Sequence, residues 1–260
     1  MPRRFDRVHP KVRGFDRAAT TYERGRPDYP VAAVRALDQV LGLGRGRTVV
    51  EIGSGTGKFT RALRPFGGTI VAVEPTRGMR AVFERTVPDV PVLSGTAEAL
   101  PLPDRFADAV VAAQAFHWFR PRPALREIAR VLRTGGGIGL VWNTRDPSVA
   151  WSRRISEILN RYGWQGDPRT RDDRWKAAFV APGTPFGRLH ARVFRHFQRA
   201  GPETFVDRVL SVSVVAIQPA PERRRVAREV RELLRTDPST RGRRVVTMPY
   251  RTEVYWAFLK

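Results

Sequence analysis

The sequence contains no cysteine among its 260 residues. This absence excludes disulfides, thiolate metal sites and cysteine nucleophiles. The chain also has no run of about 18 apolar residues, so no transmembrane helix is predicted. The first residues, Met1 to Asp6, lack the apolar stretch of a secretory signal, and no internal repeat is visible. We therefore expect a soluble, cytoplasmic protein with no membrane partner.

Lysine is almost absent as well. Of 47 basic residues only Lys11, Lys58, Lys176 and Lys260 are lysine, and the net charge is +22. A charge of this size raises the possibility of a nucleic-acid function. The arginines are spread along the whole chain, however, and such a preference for arginine is typical of genome composition rather than of a binding face. We expect no specific nucleic-acid partner.

The most informative segment runs from Thr48 to Gly57. Its first part, Thr48 to Ile52, is a short β-branched run that is typical of a buried strand. Three glycines at alternate positions follow, Gly53, Gly55 and Gly57, and a helical pattern comes next. Glycine allows a sharp turn and a close approach of a ligand to the main chain, and the start of a helix offers free N–H groups. The segment predicts a strand, a ligand-binding turn and a helix.

Two details of this segment carry a family resemblance. Glu51 lies within the strand, and the third glycine comes earlier than in the dinucleotide-binding fingerprint, whose last glycine is replaced here by Lys58. Both features resemble the first motif of the class I S-adenosylmethionine-dependent methyltransferases, acidic-x-Gly-x-Gly-x-Gly. A purely structural turn is the alternative. The cofactor contacts that the resemblance implies here are Glu51, Gly53, Ser54, Gly55, Thr56 and Gly57.

A second buried strand, Thr69 to Val73, ends at Glu74 and Pro75. In nucleotide-binding βαβ units, an acidic side chain at this strand tip accepts hydrogen bonds from the ribose hydroxyls. A carboxylate suits the task because its two oxygens match two neighbouring hydroxyls. Glu74 could instead cap the next helix, but Thr76 is better placed for that. We therefore predict that Glu74 and Pro75 contact the cofactor.

The segment after the third strand (Pro91 to Ser94) resembles the adenine-binding loop of the same family. Its candidate contacts are Thr96, Ala97 and Glu98. The family usually has Asp at the position of Thr96, and a hydroxyl accepts a hydrogen bond more weakly than a charged group does. Glu98 or the main chain of Ala97 is therefore expected to carry part of the contact.

The fourth strand, Phe106 to Gln114, leads into the aromatic segment Phe116-His117-Trp118-Phe119. Ligands of open α/β sheets bind beyond the carboxyl ends of the strands, so this segment is expected to meet a ligand. Gln114 is predicted to contact the cofactor, and Phe116 and Trp118 the substrate. A neutral His117 would be able to take a proton from a nucleophile near pH 7. The alternative is a structural histidine that bonds the helix turn.

The N-terminal segment 10–30 carries a second resemblance. Phe15, Ala19 and Tyr22 lie at helical spacing, and Arg26-Pro27-Asp28-Tyr29-Pro30 breaks the helix. This arrangement resembles the N-terminal arm of small-molecule methyltransferases such as the trans-aconitate methyltransferase group, in which the arm folds over cofactor and substrate. The resemblance implies that Tyr22 contacts the cofactor and that Phe15 and Arg26 contact the substrate. A helix that only packs is the alternative.

The rest of the chain is predicted from periodicity. Helices are expected at 31–41, 123–132 and 222–234, and strands at 138–142, 207–217 and 245–259, the last being a strand or a hairpin. The turn Leu132-Arg133-Thr134-Gly135-Gly136 again resembles the family. Residues of about 148–200 are interpreted as an insert that forms a small helical cap over the substrate. The implied substrate contacts in this half are Trp142 and Trp151.

Together these features predict one doubly wound α/β domain over residues 1–260, and the family resemblance implies the strand order 3-2-1-4-5-7-6 with strand seven antiparallel. The implied activity is methyl transfer from S-adenosylmethionine to an oxygen, nitrogen or carbon of a small molecule. An RNA or protein methyltransferase and a cofactor-binding relative that does not methylate are the alternatives. No metal site is predicted, because the histidines lack nearby carboxylate pairs. The chain is expected to be a monomer or a homodimer.

Overall fold

The computed structural model describes residues 13–164 and 174–260, with side chains from residue 18 to 164 and from 175 to 260. Its strands are β1 (Thr48–Ile52), β2 (Thr69–Val73), β3 (Val92–Leu93), β4 (Ala107–Ala113), β5 (Leu132–Arg145), β6 (His190–Ala200) and β7 (Val246–Phe258). They form one sheet in the order β3-β2-β1-β4-β5-β7-β6. β1 to β5 are parallel, and β7 is antiparallel to both of its neighbours. The predicted order and the reversed seventh strand are confirmed.

Helices cover both faces of this sheet. The helices are α1 (Arg13–Gly25), α2 (Val31–Leu41), α3 (Lys58–Leu63), α4 (Arg77–Thr86), α5 (Pro121–Val131), α6 (Ala150–Asn160), α7 (Arg174–Val180), α8 (Pro202–Leu210), α9 (Ser213–Ala216) and α10 (Ala220–Thr236). α2, α3 and α4 pack on one face, and α5 and α7 on the other. Within β1, Val49 contributes to the first core and Val50 to the second, as expected of a parallel strand that is buried on both sides.

A third core joins α6, α8, α9 and α10, and we call these four helices the cap. Trp151 of α6, Phe205 of α8 and Val230 of α10 pack together there with Met248 and Tyr250 from β7. The cap therefore comes from two separate segments of the chain, one before β6 and one after it. The sequence analysis placed the cap only in the first of these segments.

Two predictions for this half of the chain were wrong. The strand expected at 207–217 is instead the end of α8 together with α9, and the outermost strand β6 lies inside the insert predicted at 148–200. The β-branched run around Val209 to Val215 is buried in the cap, and short apolar runs of this kind fit a buried helix as well as a strand. β6 is an edge strand in which the exposed arginines Arg192, Arg195 and Arg199 interrupt the apolar residues, so it lacks the continuous apolar run of a central strand.

The N-terminal arm is fastened across the sheet where the parallel strands end. Gln198 of β6 donates a hydrogen bond to the carbonyl of Gly25 (3.0 Å), and Asn143 of β5 donates one to the carbonyl of Asp28 (3.0 Å). At Gly25 a Cβ atom would lie 2.3 Å from the backbone nitrogen of Arg208, so only glycine allows the arm to pack this closely on α8. The arm and the cap thus form a continuous roof above the strand ends. Within the described ranges, no helix has both the length and the apolar character needed to cross a membrane.

Candidate functional site

A cavity of about 440 Å³ lies beneath this roof, at the carboxyl ends of the parallel strands. Its floor is formed by the loops that follow β1 to β5, and its walls by α1, α6, α8 and the start of α9. This is the place where open α/β sheets bind their ligands. The predicted site residues that line the cavity are Tyr22, Arg26, Gly53, Gly55, Glu74, Pro75, Thr96, Ala97, Glu98, Gln114, His117 and Trp118.

The glycine turn after β1 leaves its main chain open to the cavity. Gly53 and Gly55 have φ angles of 67° and 58°, which side chains rarely allow. A Cβ atom on Gly55 would have nothing within 4 Å, so the space beside this residue is open to a ligand. The hydroxyl of Ser54 is buried and finds no hydrogen-bond partner in the described part of the chain. The turn therefore fits a polar group that approaches the backbone.

Glu74 at the tip of β2 is held in place by both neighbouring loops. One carboxylate oxygen accepts the N–H of Gly55 (3.0 Å), and the other accepts the N–H and the hydroxyl of Thr76 (2.9 and 2.7 Å). The side chain is only 5% exposed, and its burial raises the pKa of its carboxyl group. Each carboxylate oxygen has about two acceptor sites, so the oxygen facing Gly55 retains one for a ligand hydroxyl. Thr76 is the N-cap residue of α4, as the sequence analysis predicted.

The wall next to Glu74 fits a flat aromatic ring. Thr96, Ala97 and Glu98 line it from the loop after β3. Tyr22 of α1 packs against Met79 of α4 across from them, and both residues face the cavity. Because Ala97 is small and 2% exposed, a ring at this wall lies against main chain and apolar atoms. The wall, the carboxylate of Glu74 and the open glycine turn together fit S-adenosylmethionine: the wall fits its adenine, the carboxylate its ribose and the turn its methionine part.

Glu51 does not reach the cavity. It is buried under the glycine turn, where it accepts a hydrogen bond from the hydroxyl of Thr60 on α3 (2.5 Å). Burial is the main reason that its pKa is raised to about 8, and the nearby charge of Glu74 raises it further, against the effect of the Thr60 bond. Its place in the structure is to join β1 to α3, rather than to touch a cofactor as the family resemblance implied.

Two further residues of the turn lie outside the cavity lining. Thr56 is 1% exposed, and its hydroxyl has no partner within the described residues. Gly57 has a φ angle of 84° and begins α3, and a Cβ atom there would lie 2.6 Å from Val87. The third glycine of the motif is therefore required by the packing of the turn against α4. The resemblance had placed both residues at the cofactor.

His117 lines the cavity from the turn after β4, and a hydrogen bond beneath it fixes its tautomer. The indole N–H of Trp142 lies 3.2 Å from Nδ1 of His117. An indole nitrogen only donates, so Nδ1 accepts, and the neutral ring carries its proton on Nε2. This tautomer makes the neutral imidazole a hydrogen-bond donor at Nε2 rather than a base.

Several aromatic residues predicted to contact substrate lie elsewhere. Phe116 and Trp142 are buried in the core, where both rings pack on Trp175 (centroids 6.0 and 4.9 Å apart). Trp151 is buried in the cap against Phe205. The side chain of Phe15 lies outside the described residues. Because the rings of Phe116, Trp142 and Trp151 are buried, they contribute to the core rather than to the lining of the cavity.

Other cavity residues were missed by the sequence analysis. From the strands come Asn143 and Glu253, from α6 Ser152 and Ser156, and from the second segment of the cap Arg208 and Ser213. Asn143 stands directly after the predicted fifth strand, so its position at the strand end was a usable signal. The sequence did not distinguish Arg208 as a cavity residue, because it is one of many scattered arginines and its segment was predicted to be a strand. Among the described residues, no group of three or more histidines and carboxylates is arranged to hold a metal ion.

Comparison with known proteins agrees with this geometry. The model of a methyltransferase domain family matches residues 50–139. An uncharacterized methyltransferase of Mycobacterium tuberculosis is 40% identical over 238 residues, which are 92% of each chain. A methyltransferase-like protein of Schizosaccharomyces pombe is 33% identical over 94% of each chain. A protein of Anaeromyxobacter dehalogenans, provisionally assigned as a type II methyltransferase, shares the fold with a TM-score of 0.65 at 24% identity, over 90% of this chain and 97% of that one.

The raised pKa of Glu51 predicts a specific dependence of stability on pH. Its folded value is about 8 against an ordinary 4.5, so between these values the folded protein holds a proton that the unfolded chain releases. The contribution of this proton to stability is fully present below the ordinary pKa of 4.5. It is lost as the pH rises through the folded pKa of about 8, by up to about 1.4 kcal/mol per pH unit. Glu51→Gln does not titrate. The free energy of unfolding of this variant, minus that of the wild type, should therefore increase from about pH 5 to pH 8.

Urea denaturation at a series of pH values measures this difference. Glu84→Gln, an exposed change on α4, is the matched control for the loss of one carboxylate. A difference between E51Q and wild type that stays constant across the range would show that Glu51 is ionised in the folded protein.

Proposed function

The chain belongs to the class I S-adenosylmethionine-dependent methyltransferases, and on this premise we propose that it methylates an oxygen, nitrogen or carbon atom of a small molecule. The observation that carries the proposal is the enclosure of the cavity. The arm and the cap cover the strand ends, and the space beneath them is about 440 Å³. Small-molecule sites are concave pockets of roughly this size, whereas a folded RNA needs an open surface.

The cofactor is assigned to the side of the cavity formed by β1, β2 and the loop after β3. Glu74 accepts hydrogen bonds from the ribose hydroxyls, since its carboxylate faces the cavity and keeps acceptor capacity. Thr96, Ala97 and Glu98 border the adenine. The open main chain at Gly53 and Gly55 receives the methionine part. This arrangement directs the methyl group towards the loops after β4 and β5.

The acceptor is assigned to the remaining space, next to His117, Asn143 and the cap. The bound cofactor supplies an already activated methyl group, so the chain's main contribution is alignment of the acceptor. With its Nε2 proton fixed by Trp142, His117 orients an acceptor atom by donating a hydrogen bond to it. Exclusion of water by the roof keeps this contact strong.

Replacing Glu74 tests the cofactor assignment. Glu74→Gln keeps the shape of the side chain but removes the charged acceptor, so the affinity for S-adenosylhomocysteine should fall by about 1–3 kcal/mol. Calorimetry measures this directly. Glu253→Gln, at the opposite side of the cavity, is the control and should leave the affinity unchanged. Equal weakening by both changes, or by neither, would place the ribose away from Glu74.

The class of acceptor is tested by following a labelled methyl group. The protein and radiolabelled S-adenosylmethionine are incubated with a metabolite extract and, separately, with bulk RNA and bulk protein at matched salt. Saturable label is expected in the extract. RNA should bind only weakly, and this binding should fade by physiological salt, since each phosphate contact steepens the log–log salt dependence by about 0.7–0.9. Saturable labelling of RNA or protein at one site, with none in the extract, would overturn the proposal.

The role of His117 is tested by two substitutions. His117→Ala removes the donor and should lower kcat/KM for the labelled acceptor by about 2- to 10-fold, the effect of one neutral hydrogen bond. His117→Gln places an amide N–H near the position of Nε2 and should recover most of this loss. Both variants should bind S-adenosylhomocysteine as the wild type does. If the glutamine variant is as poor as the alanine variant, a donor role is excluded and a base is required.

A further inference from the structure

The cap wall of the cavity holds a buried arginine that forms no ion pair with any residue the structure describes. Arg208 of α8 is 9% exposed and lines the cavity. Its Nε and Nη1 atoms are buried and have no hydrogen-bond partner among the residues that the structure describes. The adjacent carboxylate, Asp207, points to the outside of α8 and pairs with Arg24 (2.7 Å). A buried guanidinium with unused donors is costly unless something else satisfies it.

A second arginine lies beside the first. Arg26 of the arm donates to the hydroxyl and to the carbonyl of Ser211 (3.2 and 3.3 Å), and its guanidinium lies 4.6 Å from the ring centre of Tyr22. None of these groups is a carboxylate. Burial is the main reason that the pKa of Arg26 falls to about 10, and the positive charge of Arg208 lowers it further. Two like charges therefore lie next to each other in the wall of the cavity.

The two arginines line the cavity where the arm meets the cap. The arm residues that flank Arg26 are held by β6 at Gly25 and by β5 at Asp28, and Gly25 packs on the backbone of Arg208. Glu74 stands at the tip of β2, separated from β5 by β1 and β4 in the sheet. Arg208 therefore lies towards the acceptor side of the cavity, while Arg26 next to it also borders the cofactor side through its contact with Tyr22.

We infer that Arg208, together with Arg26, binds an oxyanion of the methyl acceptor, a carboxylate or a phosphate group. The inference rests on the proposed function, since it concerns the substrate of the same cavity. An oxyanion would satisfy the unused donors of Arg208 with charge-assisted hydrogen bonds and would relieve the repulsion between the two guanidiniums. The general abundance of arginine does not account for this pair, because surface arginines stay solvated and Arg208 does not.

A binding experiment that needs no acceptor tests the inference. Protein saturated with S-adenosylhomocysteine is titrated with succinate, with inorganic phosphate and with neutral succinamide, at constant ionic strength in potassium chloride, and melting temperature and Kd are followed. At least one anion should bind and raise the melting temperature, and succinamide should not. Arg208→Met should weaken the binding of that anion by about 10- to 100-fold. Arg208→Lys should retain part of it.

The control variant is Arg224→Met, which removes an exposed arginine of the same cap and should leave anion binding unchanged. The succinate and phosphate arms show which oxyanion is bound. Equal binding of succinamide, or unchanged anion binding by R208M, would overturn the inference.

The affinity of each variant for S-adenosylhomocysteine alone is measured in parallel by calorimetry. R208M should match the wild type, and a fall comparable to the loss of anion binding would assign the arginine to the carboxylate of the cofactor instead. Since no methyl transfer is involved, the result is independent of the labelling experiment. If the label appeared in RNA while succinate still bound and its binding still depended on Arg208, the proposed function would be overturned but the inference about Arg208 would stand.

Discussion

The buried carboxylate of Glu74 is the contact on which the site depends. It ties the glycine turn after β1 to the start of α4 after β2, by accepting the N–H of Gly55 and both donors of Thr76. These bonds fix the two loops relative to each other at the edge of the cavity. Because the same carboxylate faces the cavity, one group both organises the protein and offers the ligand an acceptor. This arrangement places a carboxylate in the interior, and burying its charge costs free energy unless several hydrogen-bond donors surround it.

The consequence of that charge is seen at Glu51. Burial is the main reason that the pKa of Glu51 is raised to about 8, and the nearby carboxylate of Glu74 raises this pKa further because two neighbouring carboxyl groups disfavour a second ionisation. The hydrogen bond with Thr60 keeps this group attached to α3 in either form. The acidic residue of the motif, Glu51, thus supports the turn from below, while the acidic residue after the next strand, Glu74, lines the cavity.

The cover over the site depends on a different set of interactions, namely contacts between distant parts of the chain. Thr252 of β7 donates to the side chain of Asn143 (2.6 Å), and Asn143 in turn donates to the arm at Asp28. Arg26 of the arm reaches Ser211 at the end of α8. The roof therefore rests on strands that belong to the sheet, and this couples the position of the arm to the end of the cavity assigned to the acceptor. The roof presents polar side chains to the cavity, together with the ring of Tyr22.

Local sequence determined the first half of this protein. The β-branched run at 48–52, the alternate glycines and the acidic residue after the second strand each produce their structure through neighbours a few residues away, so these elements were predictable, whereas the strand order was implied only by the family resemblance. The cap, the edge strand β6 and Arg208 were not. The run at 209–215 is helical because it packs against Trp151 and Val230, which are far away in sequence, and β6 is a strand because β7 pairs with it. Likewise, only the fold places Trp142 under His117 and Arg208 beside Arg26. Periodicity reports which residues are buried, but which residues meet is decided by packing between segments that the sequence keeps far apart.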